Sequence, residues 1–172
     1  MSYQDLIQSA IKAVDRAVIH KGTPVGVAVL MNDGSVIQGF NIESRGFPNI
    51  HAEVVAIISC IKMGYIKNDY KAIAIVYAFP GLYPACASCR QFLWEHTNPD
   101  LEVIAFDIST GKGQVFKLKD LYPFPFPAEN YEELLNKITK PIDNQVIDNE
   151  TDKVTESAKE AVSVDMREEV RE

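Results

Sequence analysis

The stretch "KAIAIVYAF", residues 71 to 79, is apolar at nearly every position. A strand with one wet face alternates apolar and polar residues, whereas an unbroken apolar run needs cover on both faces. A chain that contains it must build layers, with a sheet in the middle and other elements packed above and below. The remaining sequence provides the elements for such layers.

Residues 3 to 20 read as an amphipathic helix, with Leu6, Ile7, Ala10, Ile11, Val14, Ala17 and Val18 on one face. Ser2 and Asp5 stand at capping-box spacing before it. "PVGVAVLM" and "SVIQGFN" flank "NDG", the pattern of a tight hairpin. From His51 to Met63 the chain is almost wholly apolar and predicts a buried helix, with Gly64 as its C-cap. "CASCRQFLWEH" predicts another helix. "LEVIAFDI" and "QVFKL" predict strands, and the short "STGKG" between them requires an antiparallel hairpin, because a parallel pair needs a long crossover. "AENYEELLNKI" predicts a last helix. The order α-β-β-α-β-α-β-β-α implies an α/β fold with a mixed five-stranded sheet and helices on its faces.

The formal charge of −7 argues against a broad phosphate-binding surface and so against a nucleic-acid partner. The start "MSYQDLIQ" has no basic region leading into an apolar stretch, and no apolar run approaches the length of a membrane span. A cytoplasmic protein without a membrane partner is the expectation. From Lys140 onward acidic residues outnumber basic ones and no aromatic residue occurs. Residues 1–138 are therefore expected to form the functional domain, and 139–172 an acidic tail, flexible or loosely helical.

The chain has three cysteines and three histidines. Cys86 and Cys89 are spaced C-x-x-C at a helix start, and His51 begins another helix. Helix N-termini carry partial positive charge, which favours thiolates. Imidazole and thiolate are zinc ligands, and three protein ligands leave a fourth place for water, as catalytic zinc sites do. Cys60 lies nine residues beyond His51, about 13 Å along a helix, too far to be the fourth ligand. Glu53, two residues past His51 in an apolar segment, suits a proton shuttle with a raised pKa. A core histidine, a redox pair, or a non-catalytic zinc module are the blander alternatives.

These residues resemble the zinc-dependent cytidine deaminases, whose signature joins H-x-E to a later C-x-x-C. The likeness is nearest to the free-nucleoside branch and runs from about residue 6 to residue 127, through "TPVGVAVL", "GFNIES", "HAE", "KAIAI", "CASCRQ" and "DLYPFPF". It implies a three-layer αβα fold and one Zn2+ per chain held by His51, Cys86 and Cys89, with Glu53 as the proton shuttle. It further implies that Asn41 and Glu43 bind the ribose. The backbone of Ala52, with Pro84 and Ala85, would line the cytosine edge, and Thr23 would stand at the pocket wall. Phe47 and Phe126 match aromatic positions where family members borrow side chains from neighbouring subunits. In this chain an alanine separates Pro84 from Cys86, where the family usually has the two adjacent. Thr23 stands where the family often has phenylalanine. The implied reaction is hydrolytic deamination of cytidine, deoxycytidine or both, in a homotetramer. The rivals are a deaminase of a cytosine-bearing antibiotic such as blasticidin S, and a nucleotide or nucleic-acid deaminase.

Overall fold

The computed structural model describes residues 1–126. Their elements are α1 (Tyr3–Val14), β1 (Val25–Met31), β2 (Val36–Phe40), α2 (Ala52–Lys62), β3 (Tyr70–Tyr77), α3 (Ala87–His96), β4 (Glu102–Asp107), β5 (Lys112–Lys117) and a single turn, α4 (Leu118–Leu121). The sheet order is β2-β1-β3-β4-β5. β3 and β4 run parallel, joined through α3, and the other three pairings among the five strands are antiparallel. The expected hairpins at "NDG" and "STGKG" are both present, and "KAIAIVYAF" provides the central strand. The expected helix at residues 128–138 and the tail at 139–172 lie outside the described residues.

Side-chain alternation along the central strand explains the layers. Ile73 and Ile75 point into a core shared with Ile57 of α2 and Leu93 of α3. Ala72, Ala74 and Val76 point the other way, against Leu6 and Ala10 of α1. The large residues face two helices, and the small ones allow one helix to approach closely. This is a three-layer αβα arrangement.

Two glycines set how close the helices come. A Cβ on Gly26 would lie 2.2 Å from the Ala10 carbonyl oxygen, so α1 packs against bare β1 backbone. A Cβ on Gly39 would lie 2.4 Å from the Ala52 carbonyl oxygen, so the first turn of α2 packs against β2 in the same way. The second contact fixes where His51 and Glu53 emerge.

Two helix expectations need correction. α1 stops at Val14, with Asp15 as its C-cap, and does not continue to residue 20. Val18 leaves the helix to pair with Ile42: its N–H donates to the Asn41 carbonyl, and its carbonyl accepts from the Glu43 N–H. The reciprocal Ser2–Asp5 cap at the other end is present. α2 is buried on one side only. Ala52, Glu53, Ala56, Ile57 and Cys60 are buried, whereas Ile58 and Ile61 are exposed. Met63 is its C-cap, and Gly64 follows at φ 94°, the left-handed conformation that glycine adopts without strain.

Candidate active site

Two helix N-termini meet beside the ends of β1 and β3. His51 is the N-cap of α2 and Cys86 the N-cap of α3, and both have extended backbone. Neither side chain caps its own helix, which leaves both free to point at a common centre. Cys89 lies one turn further along α3 and is buried. The His51 Nδ1 atom is 3.4 Å from Cys86 Sγ and 3.2 Å from Cys89 Sγ. The three ligand atoms all lie within 4.8 Å of one another. One tetrahedral zinc at normal bond lengths separates a nitrogen and a sulfur ligand by about 3.6 Å, so this donor set fits a zinc ion.

Glu53 follows His51 in the first turn of α2 and is only 2 % exposed. Its Oε1 has no hydrogen-bond partner. Burial pushes its carboxyl above the usual carboxylate range; its own backbone N–H, Cys89 and His51 pull the other way. Burial and the negative charge of Glu53 likewise push the Cys89 thiol up. Burial also acts upward on Cys86, but hydrogen bonds from the Ser88 hydroxyl, 3.2 Å away, and from the backbone and thiol of Cys89 bring it below the ordinary thiol value. A cation between these groups would answer the repulsion among them and stabilise the thiolates.

A cavity of about 220 Å³ opens from this centre, lined by Thr23, Val25, Asn41, Glu43, Asn49, Ile50, His51, Ala52, Glu53 and Tyr77. It brings Thr23, Asn41, Glu43, Ala52 and Glu53 together. Asn41 and Glu43 also organise the wall itself. The Asn41 side chain accepts from the Val25 N–H at 2.8 Å and donates to the Thr23 carbonyl at 3.0 Å. The Glu43 carboxylate accepts from the backbone N–H groups of His20 and Lys21 at 2.6 and 2.8 Å. The amides of Lys21, His20 and Gly22 hold its pKa below the usual value. A carboxylate offers about four acceptor sites and an amide two donors, so both residues keep capacity for a ligand.

Phe47, Pro84, Ala85 and Phe126 are not among the walls of this cavity. Phe47 is 66 % exposed at the tip of the loop between Ile42 and Ile50. Phe126 is 74 % exposed, its backbone tied to the Gln91 side chain. Ala85 has φ 86°, rare for a residue with a Cβ, and its carbonyl accepts from Arg90 Nε at 3.0 Å. Arg90 also donates to the Leu121 carbonyl, so the approach to Cys86 is clamped from α3 to α4.

Sequence reasoning missed Val25, Asn49, Ile50 and Tyr77 as cavity residues. The available signal was Tyr77, a phenol ending an otherwise apolar central strand.

The family model for the cytidine and deoxycytidylate deaminase zinc-binding region matches residues 1–104. The chain belongs to this family. The zinc-binding region that defines the family includes His51, Cys86 and Cys89, which form the one group of three or more potential metal ligands found among the described residues. A cytidine deaminase of Halalkalibacterium halodurans is 36% identical over 136 residues, spanning 77% of this chain and 100% of the relative. One from Sporosarcina psychrophila is 31% identical, over 76% of this chain and 95% of its own. The crystal structure of cytidine deaminase from Burkholderia pseudomallei superposes with a TM-score of 0.70 at 33% identity, covering 73% of this chain and all of that one. The Mycobacterium tuberculosis cytidine deaminase gives 0.63 at 26% identity, over 74% and 98% of the two chains. Among the described residues, no helix is long and apolar enough to cross a membrane.

Proposed function

We propose that this chain catalyses the hydrolytic deamination of cytidine to uridine and ammonia. The observation that carries this reading is a single cavity whose lining joins two kinds of group. His51 of the three-ligand centre and Glu53, with its unpartnered Oε1, line it together with Asn41 and Glu43.

Zinc, held by His51, Cys86 and Cys89, would supply Lewis acidity and a hydroxide nucleophile at neutral pH. Glu53 is the proton carrier. It takes the proton released when water is activated and delivers it to N3 of the pyrimidine as C4 is attacked. It then takes the proton of the new C4 hydroxyl and delivers it to the 4-amino group, which leaves as ammonia as the C4 carbonyl of uridine forms. A buried carboxyl with a raised pKa suits both directions of transfer near neutral pH. Asn41 and Glu43 bind the ribose hydroxyls with the lone pairs and amide proton they do not spend on the 20–25 loop. Ala52 borders the base at the first turn of α2, and Pro84 and Ala85 lie beyond the cavity on the approach to Cys86.

The antiparallel β4–β5 hairpin supports a free nucleoside over a nucleotide or nucleic acid, because those branches of the family usually carry a helix between their last two strands. We extend the same reading to deoxycytidine, to a place in pyrimidine salvage in the cytoplasm, and to a homotetramer in which Phe47 and Phe126 reach neighbouring sites. The test is ammonia release from cytidine, deoxycytidine, CMP, dCMP, adenosine and blasticidin S, followed side by side. Release from the two nucleosides is expected. Release from blasticidin S or the nucleotides alone would overturn the reading.

A further inference from the structure

Tyr77 has no role in the chemistry above, yet it forms part of the wall that Glu53 and His51 share. Three observations describe it. Its backbone is locked, paired with Val25 of β1 on one side and Asp107 of β4 on the other. Its ring is braced by Tyr83, with centroids 5.1 Å apart and planes at 58°. Tyr83 is itself held by a hydrogen bond from its hydroxyl to the Pro80 carbonyl, and it lies across Gly81, where a Cβ would come within 2.7 Å of that hydroxyl. Finally, among the described residues the Tyr77 hydroxyl has no hydrogen-bond partner.

A phenol fixed this firmly, with its own hydroxyl unspent, is built to meet something in the cavity. Its surroundings decide what. A phenol, with an ordinary pKa of about 10, is a neutral O–H donor at neutral pH. It therefore needs an acceptor. Glu53 Oε1, the other unpartnered group of the cavity, serves the reacting edge of the base. Cytosine offers two ring-edge acceptors, N3 and the O2 carbonyl. Glu53 protonates N3 during the reaction, which leaves O2. Besides the metal-ligand candidate His51, Tyr77 is also the one aromatic side chain in the wall.

We propose that Tyr77 is a binding and specificity residue, its hydroxyl donating to the O2 carbonyl of the pyrimidine and its ring walling the base. This rests on the cytidine reading. Substrate and product share O2, so the contact contributes to binding uniformly through the reaction. Its loss should appear in KM and in product affinity, with kcat nearly unchanged.

The experiment uses the zinc-loaded full chain, wild type beside Tyr77→Phe and Tyr77→Ala. It measures KM and kcat for cytidine, the Kd of uridine by calorimetry, zinc content and Tm. Tyr77→Phe keeps the ring packing on Tyr83 and should leave zinc and Tm unchanged. It should raise both KM and the uridine Kd about 3- to 10-fold, the size of one neutral hydrogen bond. Tyr77→Ala should weaken both further. If Tyr77→Phe binds uridine and turns over cytidine as wild type does, the hydroxyl makes no such contact and the proposal falls while the cytidine reading stands. A fall in kcat at constant KM would also overturn it. If wild type neither binds uridine nor releases ammonia from cytidine, both readings fall together.

Discussion

Replacing Glu53 by glutamine changes little in shape and removes the ability to carry a proton. The side chain is 2 % exposed, and its Oε1 has no partner that the substitution would strand. The other carboxylate of the cavity, Glu43, is held in a cradle of backbone amides with its pKa held down, and is poorly suited to stand in. Loss of one positioned acid–base group costs about 10²- to 10⁴-fold in rate, or about 3–5 kcal/mol of barrier at 1.36 kcal/mol per decade. The same variant should keep its zinc, because His51, Cys86 and Cys89 are untouched. Stability gives a second readout. Burial holds the Glu53 carboxyl above the ordinary range. A carboxyl whose folded pKa exceeds its unfolded value favours folding below the unfolded value and loses that contribution as pH rises through the folded one. In metal-stripped protein, wild type should therefore lose stability relative to Glu53→Gln as pH rises above the ordinary carboxylate range, with the gap levelling off beyond the raised pKa. The assays are ammonia release, elemental analysis and Tm against pH. Activity within tenfold of wild type, or zinc lost from the variant, would refute the shuttle assignment.

Further perturbations probe the scaffold around the site. Cys89→Ser should lose most of its zinc while Cys60→Ala, on the buried face of α2, keeps it; equal zinc in both, measured by elemental analysis, would contradict the ligand set. Gly39→Ala forces a Cβ to 2.4 Å from the Ala52 carbonyl oxygen and should cost about 1–3 kcal/mol, as overpacking does; an unchanged Tm would show that α2 yields freely. Gly22→Ala puts a Cβ 2.0 Å from Glu43 Oε1; it should raise KM for cytidine more than it lowers kcat, and an unaltered KM would remove Glu43 from substrate binding.

Features carried by local chemistry were legible in the sequence. Ser2 and Asp5 cap each other across one turn, so four residues suffice to read them. "KAIAIVYAF" carried its two-sided burial in its own composition. His51, Glu53, Cys86 and Cys89 were visible because helix starts can be located from sequence and because few residue types bind zinc. Features that depend on distant partners were not. Ala17 and Val18 keep helical spacing, yet Val18 leaves the helix because residues 41–43 offer it backbone hydrogen bonds. The apolar run of α2 does not say which side meets the sheet; Gly39, on another strand, decides that. The resemblance singled out Asn41 and Glu43, but the amides of residues 20–25 that hold them lie far back in the chain. Tyr77 joined the site only through its register with Val25.

The most direct test of the account is to determine metal and reaction on one sample. Zinc per chain is measured in the purified protein, and uridine and ammonia are quantified from cytidine. The account predicts one zinc per chain and equal amounts of the two products. Protein without zinc that still forms uridine, or zinc-loaded protein that forms none, would contradict it.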